Sequence, residues 1–164
     1  MFKKVFFVLL LLILIAGYFG YDKYQQVFTA NVSVELKNEY LIIPTGTTFE
    51  ELLEILEKDN FLIDEASFVW VAEQMKYIKP VMRSGRFLIQ PGWSNRRLIR
   101  HLRNGKQATV KVVLNNERLP EEVAEKVTKI IEADSEELNE LLNNKSYLDQ
   151  FGLTRETVIS IFIP

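Results

Sequence analysis

The sequence contains no cysteine and only one histidine, His101. With no thiol, a disulfide framework, a thiolate zinc site and a cysteine nucleophile are all excluded. One imidazole cannot build a multi-histidine metal centre, and it argues against a self-contained Ser/His/Asp triad. Charge of one sign is also lacking: 20 basic and 22 acidic residues leave a net charge of -2. With 48% of residues hydrophobic, the chain is too apolar to be disordered. Its 164 residues leave room for one ordinary domain or two small ones beside a membrane segment, and exclude a large multidomain enzyme. Carboxylate chemistry, binding and structure remain.

Much of the apolar content sits at the front. After Lys3 and Lys4, residues 5–21 (VFFVLLLLILIAGYFGY) hold no charged side chain, and the first is Asp22. A helix of about 17 residues rises roughly 25 Å against the ~30 Å of hydrocarbon in a bilayer, and Tyr24 and Phe28 extend the contact into the interface. The sequence therefore predicts a transmembrane anchor over residues 5–24 in contact with membrane lipid. Lys3 and Lys4 place residues 1–4 in the cytoplasm and the bulk of the chain on the outer side. A cleaved signal peptide would need a shorter apolar region and a small-x-small cleavage site, which Ala16-Gly17-Tyr18 does not supply.

Residues 25–39 read as a stalk passing into a first edge strand, on the alternation of Val32-Ser33-Val34-Glu35-Leu36. A short apolar strand follows at 40–44, stopped by Pro44. Thr48 with Glu51 forms a capping-box pattern for a helix whose apolar positions are Phe49, Leu52, Leu53 and Leu56. Asp64 opens the next helix, on which Phe68, Val69, Val71, Ala72, Met75 and Ile78 recur at helical spacing until Pro80. Residues 85–90 (GRFLIQ) read as a second strand, entered through a glycine turn and closed by Pro91-Gly92. A weak internal repeat crosses this region: Gly46-x-Thr48-x-x-x-Leu52-Leu53-x-x-Leu56 matches Gly92-x-Ser94-x-x-x-Leu98-Ile99-x-x-Leu102. Each copy predicts a tight turn, a hydroxyl cap and a helix with one buried face.

Farther on, Asn104-Gly105 signals a helix end and residues 108–114 (ATVKVVL) a strand. Residues 120–131 predict an amphipathic helix with Pro120 in its first turn and Leu119, Val123, Val127, Ile130 and Ile131 along one side. Another helix runs from 135 to 142, opened by Ser135. The apolar ending Ile161-Phe162-Ile163-Pro164 reads as a chain cut in mid-domain, since termini are usually solvated. The fold class expected from all of this is α+β.

The spaced pattern Gly85-Arg86-Phe87-Leu88-Ile89-x-Pro91-Gly92-x-Ser94-x-x-x-Leu98-Ile99-x-x-Leu102-x-x-Gly105 resembles the signature of the endolytic murein (peptidoglycan) lytic transglycosylase family. Those are single-pass proteins of the bacterial cytoplasmic membrane, with a cytoplasmic N-terminus. The resemblance implies a LysM-like β-α-α-β subdomain at 40–90 and the start of a transglycosylase catalytic domain at 91–164, incomplete in this chain. It implies cleavage of the bond between N-acetylmuramic acid and N-acetylglucosamine within glycan strands, without water, leaving a 1,6-anhydro end. Glycan strands are the implied substrate, wall-synthesis enzymes are implied partners, and no cofactor or metal is implied. The family's catalytic glutamate lies beyond the position matching Pro164, so no catalytic residue is assigned within this chain. Where many members carry Glu-Gly, this chain has Glu117-Arg118. The alternative is a non-catalytic anchored module that binds peptidoglycan or acts as a scaffold.

Among individual residues, Trp93, in the turn after Pro91-Gly92, is the candidate for stacking on a sugar ring. Phe68 and Phe87 sit at core spacing. Glu117 is the best-placed carboxylate, between a strand and a helix, and reads as a turn residue near a helix N-terminus, since the resembled family's acid lies elsewhere. His101 falls beside the Leu98, Ile99, Leu102 stripe and reads as a surface residue. Between Glu73 and Glu117 there is no acid, while Lys76, Lys79, Arg83, Arg86, Arg96, Arg97, Arg100, Arg103, Lys106 and Lys111 all occur. This band predicts a solvated face paired with the acidic helices of residues 117–140, or contact with anionic lipid or wall carboxylates. Nucleic acid is not an expected partner, because the topology exports the chain and no binding motif is present.

Overall fold

The computed structural model describes residues 2–114, 117 and 119–162, without the side chains of residues 2–5, 7 and 8. The chain divides into two compact units, Met1–Ala108 and Thr109–Pro164.

The first unit begins with helix α1 (Phe2–Phe28). Its large apolar side chains at 9–15 are each between 42% and 67% exposed, so this part of the helix has no core face of its own. Among the described residues no helix is long and apolar enough to cross a membrane. The span expected at 5–24 includes side chains at 5, 7 and 8, which lie outside the described residues.

Strands β1 (Tyr40–Ile43) and β2 (Gly85–Leu88) pair antiparallel, with Leu41 opposite Phe87 and Ile43 opposite Gly85. Between them lie α2 (Phe49–Lys58) and α3 (Glu65–Gln74), and α4 (Asn95–Asn104) follows β2. The observed order is β-α-α-β, with a third helix behind it. One core joins Leu41 and Ile43 of β1, Leu52 and Leu56 of α2, Phe68 of α3, Phe87 of β2, and Leu98 and Leu102 of α4, each no more than 1% exposed. At about 25 cal/mol per Å² of apolar surface, burying one such side chain is worth roughly 1.5–3 kcal/mol, so this cluster is the main source of the unit's stability.

The internal repeat is present as predicted. Gly46 (φ 85°) and Gly92 (φ 74°) both take the left-handed backbone. Thr48 accepts from the Glu51 amide and its own amide is covered by the Glu51 carboxylate, while Ser94 accepts from the Arg97 amide. The two helices α2 and α3 also end alike. Asn60 (φ 53°) and Lys76 (φ 52°) adopt the left-handed conformation. The Phe61 and Tyr77 amides reach back to Leu56 and Ala72 carbonyls at 2.9 and 2.8 Å. Each end is a Schellman closure in which the following aromatic enters the core. That is why α3 stops at Gln74 and not at Pro80: continuing it would pull Tyr77, 3% exposed, out of the core.

Residues 25–39, expected as a stalk, are instead woven into this unit. The α1 helix continues to Phe28, Val27 and Leu36 pack on the core, and Val32 is fully buried. The Asn31 and Val32 amides both bond to the Trp93 carbonyl (2.9 and 2.8 Å), and the Ser33 amide bonds to the Phe61 carbonyl at 2.9 Å. The predicted edge strand reduces to an isolated bridge, Val32 to Leu62, because its neighbours are single turns of chain and not strands. A polar network locks the weave. Asn95 Nδ2 donates to the Gln26 carbonyl and to Ser67 Oγ, both at 2.9 Å. Asn31 Nδ2 donates to Asn95 Oδ1 and to the Asp64 carbonyl, both at 2.7 Å, and Asn31 Oδ1 accepts from the Asp64 amide.

The sequence placed a boundary between residues 90 and 91, whereas the compact unit extends to Ala108 because Leu98, Ile99 and Leu102 of α4 complete its core.

In the second unit, residues 109–114 form no strand, although their side chains alternate. Helix α5 (Pro120–Thr128) starts at Pro120 and is shorter than expected. Val123 and Ala124 are buried and Val127 packs beside them, but Leu119, Ile130 and Ile131 are at least 40% exposed. Helix α6 (Ser135–Asn143) is capped by Asp134, whose carboxylate takes the Glu136 and Glu137 amides, in place of the expected Ser135. A short α7 (Lys145–Leu148) follows, and residues 158–161 form a 3₁₀ turn. A small core of Val123, Ala124, Leu142, Leu148 and Val158 holds these pieces together.

Candidate functional site

The motif that runs from Gly85 to Gly105 closes on itself around one aromatic cluster. Gly85 has φ 137°, and a Cβ there would lie 2.1 Å from the Gln107 side chain. At the other end, a Cβ on Gly105 would lie 2.3 Å from His101 Nδ1. Gly105 is thus required by close approach, since the His101 backbone carbonyl would lie 2.5 Å from its Cβ, and Gly85 by its conformation, the exposed Gln107 side chain being free to move aside. Between them, His101 stands edge-on to Trp93 (5.0 Å between centroids, 72°) and to Phe87 (6.0 Å, 79°).

Trp93 is 7% exposed and belongs to the core. Its Nε1 donates to Gln90 Oε1 at 3.1 Å, its carbonyl holds the Asn31 and Val32 amides, and the Arg97 guanidinium lies 4.7 Å from its ring centroid. The residue predicted as a glycan platform therefore serves as the joint between the weave at 31–32 and helix α4.

His101 is not a free surface residue. It is partly buried, and its Nε2 is enclosed with no hydrogen-bond partner among the described residues. Burial first, and then the Arg83 and Arg97 charges, push its pKa below the ordinary histidine range. A neutral imidazole packed between two rings is the result.

The basic band turns out to have a different structure from the one expected. Among the described residues, the ion pairs are Lys126 with Glu117, Lys129 with Glu125 and Arg155 with Glu121, all inside the second unit. Five of the band's six arginines lie over aromatic rings: Arg86 over Tyr40, Arg96 over Phe28, Arg97 over Trp93, Arg83 over Phe87 and Arg103 over Tyr77, at 3.5 to 5.8 Å. Stacking keeps the guanidinium in place without cancelling its charge.

Glu117 is 9% exposed and is engaged by the Lys126 ammonium. Its neighbour Arg118, where the chain departs from Glu-Gly, lies outside the described residues. Glu121, Glu125 and Glu156 are each shifted downward. Glu121 is held low by its own backbone amide and by Arg155, Glu125 by Lys129, and Glu156 by Thr154 and its own backbone amide. A general acid needs the opposite shift. Among the described residues no group of three or more His, Asp or Glu is placed to hold a metal ion.

Two features escaped the sequence reading. The Asn31–Asn95 network joins residues far apart in the chain, and an asparagine in a loop or at a helix start carries no signal of burial. The second is Tyr77, which lines a basic cavity.

Comparison with curated proteins returned no match, and comparison with solved structures returned none either. The model of the YceG-like family matches residues 41–164, which takes in β1 except Tyr40, the whole glycine-bounded motif with its aromatic cluster, and the second unit. The match covers well over half of the sequence and agrees with the resemblance carried by the Gly85 to Gly105 pattern: the chain belongs to the YceG-like family, that of the endolytic murein transglycosylases.

Proposed function

We propose that this chain supplies the membrane anchor and the first wall-facing module of an endolytic peptidoglycan transglycosylase acting in cell-wall biogenesis. The family match over residues 41–164 carries the reading. In the reaction, a carboxyl group protonates the glycosidic oxygen as the bond between N-acetylmuramic acid and N-acetylglucosamine breaks. The resulting carboxylate takes the proton of the muramic acid 6-hydroxyl, whose oxygen closes on C1 as the 1,6-anhydro ring. No water enters, so the two spaced carboxylates of a hydrolysing glycosidase are not needed.

The anchor is proposed on the exposure of Phe6 and of residues 9–15 on α1, an apolar surface that suits lipid and not water. The β-α-α-β order of the first unit resembles a LysM-like module. With the N-terminus in the cytoplasm, both compact units would face the wall and its glycan.

One observation favours a second reading, a binding or scaffolding role for this stretch. Glu121, Glu125 and Glu156 are each shifted down, and Glu117 is engaged by Lys126. The acid of the reaction would then come from sequence other than residues 1–164.

The test is to incubate the detergent-solubilised chain, and the longest protein its reading frame encodes, with purified glycan strands and to weigh the products. New 1,6-anhydro ends only from a longer product support the enzyme with a binding role for this part. Retention on sacculi without cleavage by any form supports the second reading, and neither cleavage nor retention overturns both. Topology is tested separately. The natural absence of cysteine makes Lys37→Cys a unique label site; reaction with a membrane-impermeant thiol reagent in intact cells is expected, and reaction only after lysis overturns the anchor orientation.

A further inference from the structure

Beside the Schellman turn that ends α3 is a cavity of ≈ 350 Å³ lined by Tyr77, Lys79, Val81, Met82, Arg83 and Arg103. It lies wholly within the first unit. Its lining combines three cations with a phenol, and no carboxylate is among the lining residues.

The two guanidinium groups are oriented by backbone carbonyls. Arg103 Nη2 donates to the Met75 carbonyl at 2.5 Å, and Arg83 Nη1 donates to the Gly105 carbonyl at 2.9 Å. A guanidinium has five N–H donors, so most remain for another partner. Carbonyls fix direction and leave the charge intact. Neither arginine is ion-paired among the described residues.

Tyr77 is the second, independent observation. It is 3% exposed, and its hydroxyl is buried with no hydrogen-bond partner among the described residues. Buried hydroxyls are almost always satisfied, so an orphan one needs a reason. Burial pushes this phenol up to about 12, against the lowering influence of Arg103 and Arg83, so it keeps its proton as a donor. Two directed guanidinium groups, an ammonium and an unused O–H donor are complementary to a group that only accepts and carries negative charge.

We propose that this cavity is a binding site for an oxyanion, a carboxylate or phosphate group whose oxygens accept from Arg83, Arg103 and the Tyr77 hydroxyl. The volume admits such a group alone or as the end of a larger ligand. The inference stands on the first unit alone and does not depend on the reaction proposed above.

The experiment uses the full chain in detergent micelles with ¹³Cζ-labelled tyrosine, Tyr77→Phe identifying the Tyr77 resonance by its loss. Acetate and succinate form one titration series, inorganic phosphate and pyrophosphate the other, with chloride at matched ionic strength as control. A saturable shift of the Tyr77 signal is expected with at least one series and none with chloride. The tighter series identifies the source, a carboxylated ligand or a phosphorylated one. By calorimetry Tyr77→Phe is expected to weaken binding about tenfold, the loss of one hydrogen bond to a charged group. Because its hydroxyl satisfies nothing in the free protein, Tyr77→Phe should unfold no earlier than the parent chain, which separates lost binding from lost structure. No saturable shift with either series, an equal response to chloride, or unchanged affinity in Tyr77→Phe overturns the proposal.

Discussion

Asn95→Ala tests whether the polar network, and not apolar contact alone, fastens the end of α1 to the first unit. The side chain is 1% exposed and makes three hydrogen bonds, to the Gln26 carbonyl, Ser67 Oγ and Asn31 Nδ2. Alanine removes all three and admits no water easily. At roughly 0.5–1.5 kcal/mol per neutral bond, with an added penalty for a buried carbonyl left without a donor, the loss is about 3 kcal/mol. Asn31 and Ser67 each keep a bond to Asp64, which is why the figure is not larger. A loss of that size, at about 4–8 °C per kcal/mol for a domain of this scale, lowers Tm by at least about 10 °C. Both tryptophans, Trp70 and Trp93, lie in the first unit, so tryptophan fluorescence during urea or thermal unfolding reports it without interference from the second. Asn104→Ala, at the exposed last residue of the same helix α4, is the control. A loss below about 1 kcal/mol in Asn95→Ala, or one equal to the control, would refute the reasoning and return residues 25–39 to a loosely held stalk.

Three further outcomes are expected. Gly92→Ala should cost about 1–2 kcal/mol by urea unfolding, since φ 74° is strained for alanine although no atom obstructs the Cβ, and Gly46→Ala at φ 85° should cost a similar amount. Lys76→Gly should stabilise the first unit by roughly 0.5–1 kcal/mol, because the left-handed C′ position at φ 52° suits glycine, and unchanged or lower stability would contradict the Schellman assignment. His101 has a folded pKa below its unfolded one, so the unfolded chain binds the extra proton and stability falls as pH drops through about 6.5 toward the folded value. As the sole histidine, it makes the test direct: His101→Phe should flatten the tryptophan-detected stability profile between about pH 7 and 5.

The parts of the fold legible in the sequence are those whose cause is local. The Thr48–Glu51 capping box, the Ser94 cap, the turns at Gly46 and Gly92 and the Pro120 helix start each depend on residues within one turn of chain. Helix ends were less legible where no glycine marks them. Asn60 and Lys76 take the left-handed conformation because Phe61 and Tyr77 are drawn into the core, and that pull comes from packing and not from the residue at the turn. Residues 25–39 looked like a stalk because their polar side chains give no periodicity. Their partners, Phe61, Asp64, Trp93 and Asn95, are roughly 30 to 70 positions away, and most of these contacts run through backbone amides and carbonyls, which leave no trace in residue type.

The candidate site divides along the same line. Gly85 and Gly105 were legible as parts of a motif, but what they make room for, Gln107 and the His101 ring, became visible only in three dimensions. The acid-free basic window was legible as charge, and its expected pairing with acidic helices followed from counting signs. Counting signs misses that a guanidinium has two ways to be held. An ion pair would consume the charge; a ring face beneath and a carbonyl at the edge do not. Arg83 and Arg103 are held in the second way, each over a ring and each bonded to a carbonyl. A side chain immobilised with its charge uncancelled has already lost the rotamer freedom that binding would otherwise take from it. The band is therefore better prepared to receive an anion than a set of solvated lysines of equal charge would be, and the unsatisfied Tyr77 hydroxyl marks the place along it where that preparation is most complete.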